Sequence, residues 1–197
     1  MLRVRILFML VLFACSGNEA PDLSRLADMR LQLADGSMVP WSQVRGGGAT
    51  VFITLDPECP FCQGYAPLID SLARHYSSEN VRFCGLYPAR FMNADSVSRF
   101  AGENKFSFRQ VLDHDCTIAN MLHARVTPEC FVLDSTGALG YVGAIDAWAV
   151  RAGRHKTAAT EHYLSDAISA LTHGDTVGKG APAVGCIVEC EGDPPHQ

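Results

Sequence analysis

The sequence offers no second C-x-x-C besides Cys59-Pro60-Phe61-Cys62 and no H-x-x-x-H. A tetrahedral zinc site built on that one pair therefore lacks an obvious source for its other ligands. No apolar run is long enough to cross a bilayer. The one at the N-terminus, residues 6–13, falls well short of the roughly 20 residues a spanning helix needs. There is no excess of basic residues: the net charge is −5, which leaves no electrostatic footprint for nucleic acid. Neither an internal repeat nor a second apolar core is visible, and nothing implies a cofactor. What is present is ordinary for a globular chain, 197 residues with 48% apolar and 19% charged, enough for one domain with a real core.

The N-terminus breaks that pattern. Arg3 and Arg5 precede the apolar run, and Ala14-Cys15-Ser16-Gly17 follows it, which reads as a signal peptide over residues 1–14. Leu12-Phe13-Ala14-Cys15 resembles a bacterial lipobox. That resemblance implies cleavage before Cys15, lipidation of its thiol and anchorage to a bacterial membrane. Plain secretion after an ordinary cleavage near Ala14 or Ala20 is the other reading. Both place the mature protein outside the cytoplasm, where disulfides persist. Beyond Cys15 the cysteines are Cys59, Cys62, Cys84, Cys116, Cys130, Cys186 and Cys190. The set is odd, so at least one thiol is free or is used between molecules.

The C-x-x-C pair sits at a junction. Residues 50–55 form a nearly continuous apolar run that predicts a central strand covered on both faces. Residues 63–76 carry Ala66, Ile69, Leu72 and Ala73 near one face and predict a helix, with Pro67 inside it. Pro60 would stand at the first helical position, where its missing N–H costs nothing. A cysteine at a helix N-terminus faces unpaired N–H groups and the positive end of the dipole, which favour the thiolate. Cys59 is thus the candidate nucleophile, and Cys62 lies close enough to attack a mixed disulfide formed on it. Asp56 and Glu58 should oppose this by like-charge repulsion. A structural disulfide or half a metal site is the bland alternative for the pair.

Elsewhere, residues 15–27 read as a tether. Alternation over residues 29–33 and a turn at 34–37 predict a hairpin closed by residues 38–39. Strands are expected at 81–86 and 110–113, helices at 95–104 and 117–124, and an antiparallel hairpin from 129–134 with 139–145. Residues 147–159 read as a loop carrying Arg151, Arg154, His155 and Lys156, a solvated stretch or a contact for a partner or lipid headgroups. The last helix is expected at 160–173 with Gly174 at its end. Residues 175–197, rich in Gly and Pro, read as an extended tail.

Cys59-Pro60-Phe61-Cys62-Gln63-Gly64-Tyr65-Ala66-Pro67 together with Val126-Thr127-Pro128 resembles the thioredoxin superfamily. The likeness is to its membrane-tethered TlpA-type branch and equally to its redoxin branch, that of alkyl hydroperoxide reductase and thiol-specific antioxidant. The resemblance implies a thioredoxin-like α/β fold over residues 28–174: a central mixed β-sheet flanked by helices, with an N-terminal β-hairpin and an inserted helix–strand segment. It implies a cis-proline loop at Thr127–Pro128 lying against the cysteine pair. It also implies an envelope thiol–disulfide oxidoreductase that cycles a Cys59–Cys62 disulfide, acts on protein thiols and disulfides, and exchanges electrons with a membrane donor or acceptor. Pro60, Phe61, Thr127 and Pro128 would meet the substrate strand, although Phe61 serves equally as a cover for the helix end. The pair is flanked by Ile53 and Glu58 where thioredoxin carries an acid and a tryptophan. Glu129 is therefore the candidate base for Cys62, its alternative an exposed strand-edge carboxylate. The P-x-x-x-T/S-x-x-C pattern of peroxiredoxins is broken by Phe52 and Asp56, which ranks thiol peroxidase below disulfide exchange. A non-enzymatic Cu(I) or thiol chaperone is the third reading.

In the resembling branches the inserted strand lies beside the one ending near Cys84, which makes a Cys84–Cys116 disulfide possible, against two separate thiols. Cys130 is expected to point inward as a small hydrophobe. For Cys186 and Cys190 a local disulfide leads, ahead of a relay with Cys59 and of Cu(I) binding. His123, on the approach to Pro128, is the histidine nearest the expected site.

Overall fold

The structure is a computed structural model and describes residues 22–151 and 154–190. The expected signal peptide, Cys15 and the last residues of the tail lie outside the described residues.

The strands are β1 (Arg30–Leu33), β2 (Met38–Pro40), β3 (Ala49–Thr54), β4 (Val81–Pro88), β5 (Arg109–Asp113), β6 (Val126–Thr127), β7 (Cys130–Asp134), β8 (Leu139–Gly143), β9 (Ala149–Arg151), β10 (Arg154–His155) and β11 (Cys186–Ile187). The α-helices are α1 (Pro60–Tyr76), α2 (Ala94–Glu103), α3 (Thr117–Leu122) and α4 (Tyr163–His173). Seven strands form one mixed sheet in the order β2-β1-β5-β4-β3-β7-β8. Strand β3 is parallel to β4, as is β4 to β5, while β7 is antiparallel to β3 and β8 to β7. The N-terminal hairpin joins at the far edge through β1 on β5.

Every residue of β3 is buried. Val51 and Ile53 face the core under α1, α2 and α4, and Phe52 faces the core on the opposite side, shared with α3 and the N-terminal 3-10 turns. Double coverage explains why the strand reads as a continuous apolar run rather than an alternating one. Helix α1 lays Phe61, Cys62, Tyr65, Ala66 and Ile69 on the sheet. It runs through Pro67, which has no N–H for the carbonyl of Gln63. Asp113, buried at the end of β5, accepts from the backbone N–H groups of Ile118 and Ala119 and so caps the short α3 from outside. Helix α4 closes the sheet with Leu164, Ala167 and Ile168 and ends at Gly174, whose φ of 76° suits glycine.

Three expectations are corrected. The loop at 147–159 contains the β9–β10 hairpin, and Trp148 pins it to α1: the ring lies edge-on to Tyr65 at 4.9 Å and stacks on His155 at 4.4 Å. The tail is not merely extended, since residues 181–190 dock on the domain and β11 pairs with β6. The disulfides also differ. Cys116 bonds to Cys190, with a Cα separation of 5.9 Å, and neither a Cys84–Cys116 nor a Cys186–Cys190 bond forms.

The sheet register explains the first failure. Cys84 pairs with Arg109 at the start of β5, whereas Cys116 lies beyond Asp113, which pairs with Pro88. The four-residue offset is about 13 Å along a strand, well outside the roughly 7 Å that a disulfide tolerates between Cα atoms. Cys186 and Cys190 are likewise four residues apart, and Cys186 is held in β11.

Candidate active site

The site is assembled where β3 ends. Thr54, the last residue of that strand, donates its hydroxyl proton to Val126 O at 2.6 Å and accepts from Glu129 N at 2.8 Å. One side chain on the C-x-x-C strand thus clamps the loop carrying Thr127 and Pro128. The Thr127–Pro128 peptide is cis, as the resemblance implied. Cys59 is the N-cap residue of α1, with extended backbone (φ −74°, ψ 118°), and Pro60 follows at the first helical position. Gln63 Nε2 donates to Pro57 O at 2.8 Å and ties the helix to the preceding turn.

Cys59 and Cys62 are both thiols in this structure, and both are buried. The Cys59 thiol donates to Thr127 O at 3.1 Å. Cys62, fully enclosed on the core face, accepts from Asp56 N at 3.4 Å. The Thr127 hydroxyl is buried without a hydrogen-bond partner and near enough to Cys62 to favour its thiolate slightly. Cys186 approaches the Cys59 sulfur. Strand β11 runs antiparallel to β6 with Cys186 opposite Thr127, and the Cys186 thiol and backbone N–H both point at Cys59.

These neighbours set the protonation order. Cys59 is held at about 4, against an ordinary 9.0, first by the thiol of Cys62; burial opposes this, and the Cys186 thiol and the backbone N–H groups of Cys62 and Cys186 add to the lowering. Cys62 is pushed well up, first by burial, then by its hydrogen bond to Cys59 and by the negative charge there. Cys186 is pushed up to about 12 by burial and by the same two effects. Of the three thiols Cys59 is the one that ionises, and the other two keep their protons. On ionising, Cys59 gives up its bond to Thr127 O and takes those offered by its two fellow thiols. The repulsion expected from Asp56 and Glu58 is not among the main influences on Cys59. The Asp56 carboxylate accepts Glu58 N at 2.8 Å, and its charge helps raise Cys186.

The other sequence candidates separate cleanly. Glu129 is buried, but strand alternation sends it to the face opposite Cys62: Cys130 and Val132 share the core of Cys62, while Phe131 faces the other core. Its carboxylate accepts Arg125 N at 2.8 Å, so the structure does not bring it to Cys62 as a base. Phe61 is covered in the core beneath α1, whereas Phe91, 85% exposed, flanks a groove lined by Asp56, Pro57, Met92 and Glu189. His123 is exposed at the C-cap of α3. Cys84 and Cys130 are buried thiols, both raised first of all by burial.

Sequence reasoning missed the Thr54 clamp, for which a hydroxyl ending an apolar strand is the only local signal. It also missed the buried Asp146, which accepts from Tyr65 Oη at 2.7 Å and Trp148 N at 2.8 Å and so locks the loop over α1. Among the described residues no cluster of three or more His, Cys, Asp or Glu side chains is arranged to hold a metal ion. Nor is any helix among them long and apolar enough to cross a membrane.

The redoxin family model matches residues 15–147, and the chain belongs to the redoxin family. Its fold is thioredoxin-like. It is similar to a hypothetical protein from Sinorhizobium meliloti (22% identity, 85% of this chain and 93% of that one, TM-score 0.75). It is also similar to an uncharacterized conserved protein from Geobacillus kaustophilus (20%, 85% and 92%, TM-score 0.72). A third similar structure is a secreted Mycobacterium tuberculosis disulfide oxidoreductase homologous to E. coli DsbE (21%, 76% and 99%, TM-score 0.58). Comparison with curated proteins gives no significant match.

Proposed function

We propose that the protein is a thiol–disulfide oxidoreductase of the bacterial cell envelope, anchored through a lipid on Cys15, that exchanges disulfides with protein substrates through Cys59 and Cys62. The observation that carries this reading is the geometry of Cys59: it caps α1, its thiol donates to Thr127 O at 3.1 Å beside the cis Thr127–Pro128 peptide, and the deeper Cys62 thiol lowers its pKa to about 4. The secreted M. tuberculosis oxidoreductase of similar fold supports it.

The steps follow from the protonation order. The Cys59 thiolate attacks a substrate disulfide, and one substrate sulfur leaves as a thiolate and is protonated. With Cys59 now neutral in the mixed disulfide, the charge that kept the proton on Cys62 is gone. Cys62 loses its proton and attacks Cys59, expelling the second substrate thiolate. The substrate disulfide becomes two thiols and the pair becomes a disulfide, which a membrane partner reduces. Run backwards, the same steps oxidise a substrate dithiol.

An acidic Cys59 stabilises the dithiol form, and a stabilised dithiol makes the disulfide a stronger oxidant. This outweighs the like-charge repulsion that Asp56 and Glu58 suggest in the sequence. The preferred direction is therefore donation of the disulfide to substrate dithiols. Equilibration of the purified chain with glutathione should give a potential above about −150 mV. Cys62→Ser combined with Cys186→Ser should accumulate mixed disulfides on Cys59 with disulfide-bonded secreted proteins, each substrate disulfide giving one mixed disulfide and one free thiol, and Cys59→Ser should form none there. Absence of any Cys59–Cys62 interconversion in glutathione buffers overturns the proposal. Fast turnover of hydrogen peroxide without exchange on protein thiols would turn the assignment to a peroxidase.

A further inference from the structure

The C-terminal segment lies outside the family match, yet it is fitted to the site with care at several points. Ala144 N donates to Ala181 O at 2.9 Å and Val188 N to Arg125 O at 2.9 Å, and the Val188 side chain is buried. Between these, β11 pairs with β6, and just beyond, Cys190 is bonded to Cys116. Gly185 is pressed so closely on the loop that a Cβ there would fall 2.1 Å from Thr127 O. No side chain is tolerated where the backbones meet, since the obstructing atom is itself backbone.

This arrangement places residues 186–187 on the strand edge next to the cis-proline, where a protein substrate would have to pair. It also sets Cys186 where the substrate's sulfur would stand, opposite Thr127 and against Cys59. Cys59 and Cys62 are covered, at 2% and 0% exposure, while Cys186 is only half-buried. With the segment in place, an external thiol meets Cys186 before it meets the C-x-x-C pair.

We propose that Cys186 is a third redox-active cysteine: the C-terminal segment is an internal substrate strand, and the disulfide passes from Cys59–Cys62 to Cys59–Cys186 before an external protein dithiol takes it. The inference rests on the Cys59–Cys62 cycle proposed above and names the route by which that cycle reaches solvent. In the first step Cys186 loses its proton and its sulfur attacks Cys59. The Cys59–Cys62 bond breaks, and Cys62 leaves as a thiolate that takes up a proton, so no net oxidation occurs. In the second, a thiolate of the external dithiol attacks Cys186 and Cys59 leaves as the thiolate. The second thiol of the dithiol then displaces Cys186, which is protonated. The dithiol is oxidised to a disulfide, and all three enzyme sulfurs return to the reduced state. The first step is assisted by its own starting point: once Cys59 is in a disulfide, the negative charge that helps hold the proton on Cys186 is absent.

The test uses the full mature chain. Wild type and Cys62→Ala are equilibrated with oxidised and reduced glutathione, quenched with acid and mapped by mass spectrometry without reduction. A tethered thiol has an effective concentration of about a millimolar or more, so at about 0.1 mM reduced glutathione the internal Cys59–Cys186 disulfide of Cys62→Ala should exceed the glutathione adduct on Cys59 by tenfold or more. Adding Gly185→Val, which lifts the segment without touching a sulfur, should reverse that ratio. Recovery of the Cys116–Cys190 peptide in each variant shows that the segment is still tethered. In the wild type the same map should show a minor Cys59–Cys186 species beside Cys59–Cys62, a measurement that needs no substitution. Cys186→Ser should slow reduction of the oxidised Cys59–Cys62 pair by dithiothreitol by tenfold or more. Glutathionylated Cys59 without the internal disulfide in Cys62→Ala, or reduction of Cys186→Ser at the wild-type rate, overturns the proposal. A wild type that never forms Cys59–Cys62 under oxidising glutathione instead refutes the underlying oxidoreductase reading.

Discussion

The protonation order at the three thiols makes a quantitative prediction about pH. In the reduced state Cys59 ionises at about 4, far below the ordinary 9.0, whereas Cys62 and Cys186 are raised and keep their protons. A lowered folded value stabilises the reduced form fully above the ordinary value, and that stabilisation is lost as pH falls toward 4. Across the neutral range, reducing the disulfide therefore takes up two electrons but only one proton. Each pH unit then changes the equilibrium constant tenfold, so the potential should fall by about 30 mV per unit between about pH 5.5 and 8. Had both thiols been protonated, the slope would double to about 59 mV. The slope is the same whether the disulfide lies between Cys59 and Cys62 or between Cys59 and Cys186, since each reduction leaves a thiolate on Cys59 and a thiol on its partner. The assay equilibrates the chain with dithiothreitol at a series of pH values and counts alkylated cysteines by mass, correcting for the reagent's own slope. A slope near 59 mV throughout the neutral range would show that Cys59 is protonated there, and the account of the site would fail at its first step.

Three further outcomes are expected. Cys190→Ser opens a crosslink of sequence separation 74; it should lower global stability by about 4 kcal/mol in guanidinium unfolding, since closing a loop of that length restricts the unfolded chain by roughly that much. A value within measurement error of zero would show that the crosslink constrains only the segment. Tyr65→Phe removes a buried hydroxyl that donates to Asp146 and accepts from Ala149 N; the orphaned groups should cost about 1–3 kcal/mol, read by thermal unfolding. Phe91→Ala, at an exposed ring flanking the groove beside the C-x-x-C turn, should leave stability within about 0.5 kcal/mol. It should raise KM for protein substrates severalfold while leaving the rate with glutathione unchanged, and an equal loss with both substrates would assign Phe91 to the scaffold instead.

The pattern of local elements was legible from the chain alone. The continuous apolar run of β3, the C-x-x-C at the start of α1, the hairpin of β7 and β8 and the closing helix α4 with Gly174 are each specified by residues within a turn or a strand of one another. So is the position of Cys59 at an N-cap, because Pro60 fits the first helical residue and few others. The partners of the cysteines were not legible, because a disulfide depends on distance across the chain, and the sheet register carries Cys84 away from Cys116 while the docked segment carries Cys190 to it. Glu129 shows the same limit on a smaller scale: its place in sequence next to Pro128 suggests a base, but strand alternation turns it to the other face. The sequence thus determined which sulfur stands at the helix end. Only the tertiary structure decided which groups surround it, because the hydrogen bonds that hold it ionised come from a neighbour one helical turn away and from a strand at the far end of the chain.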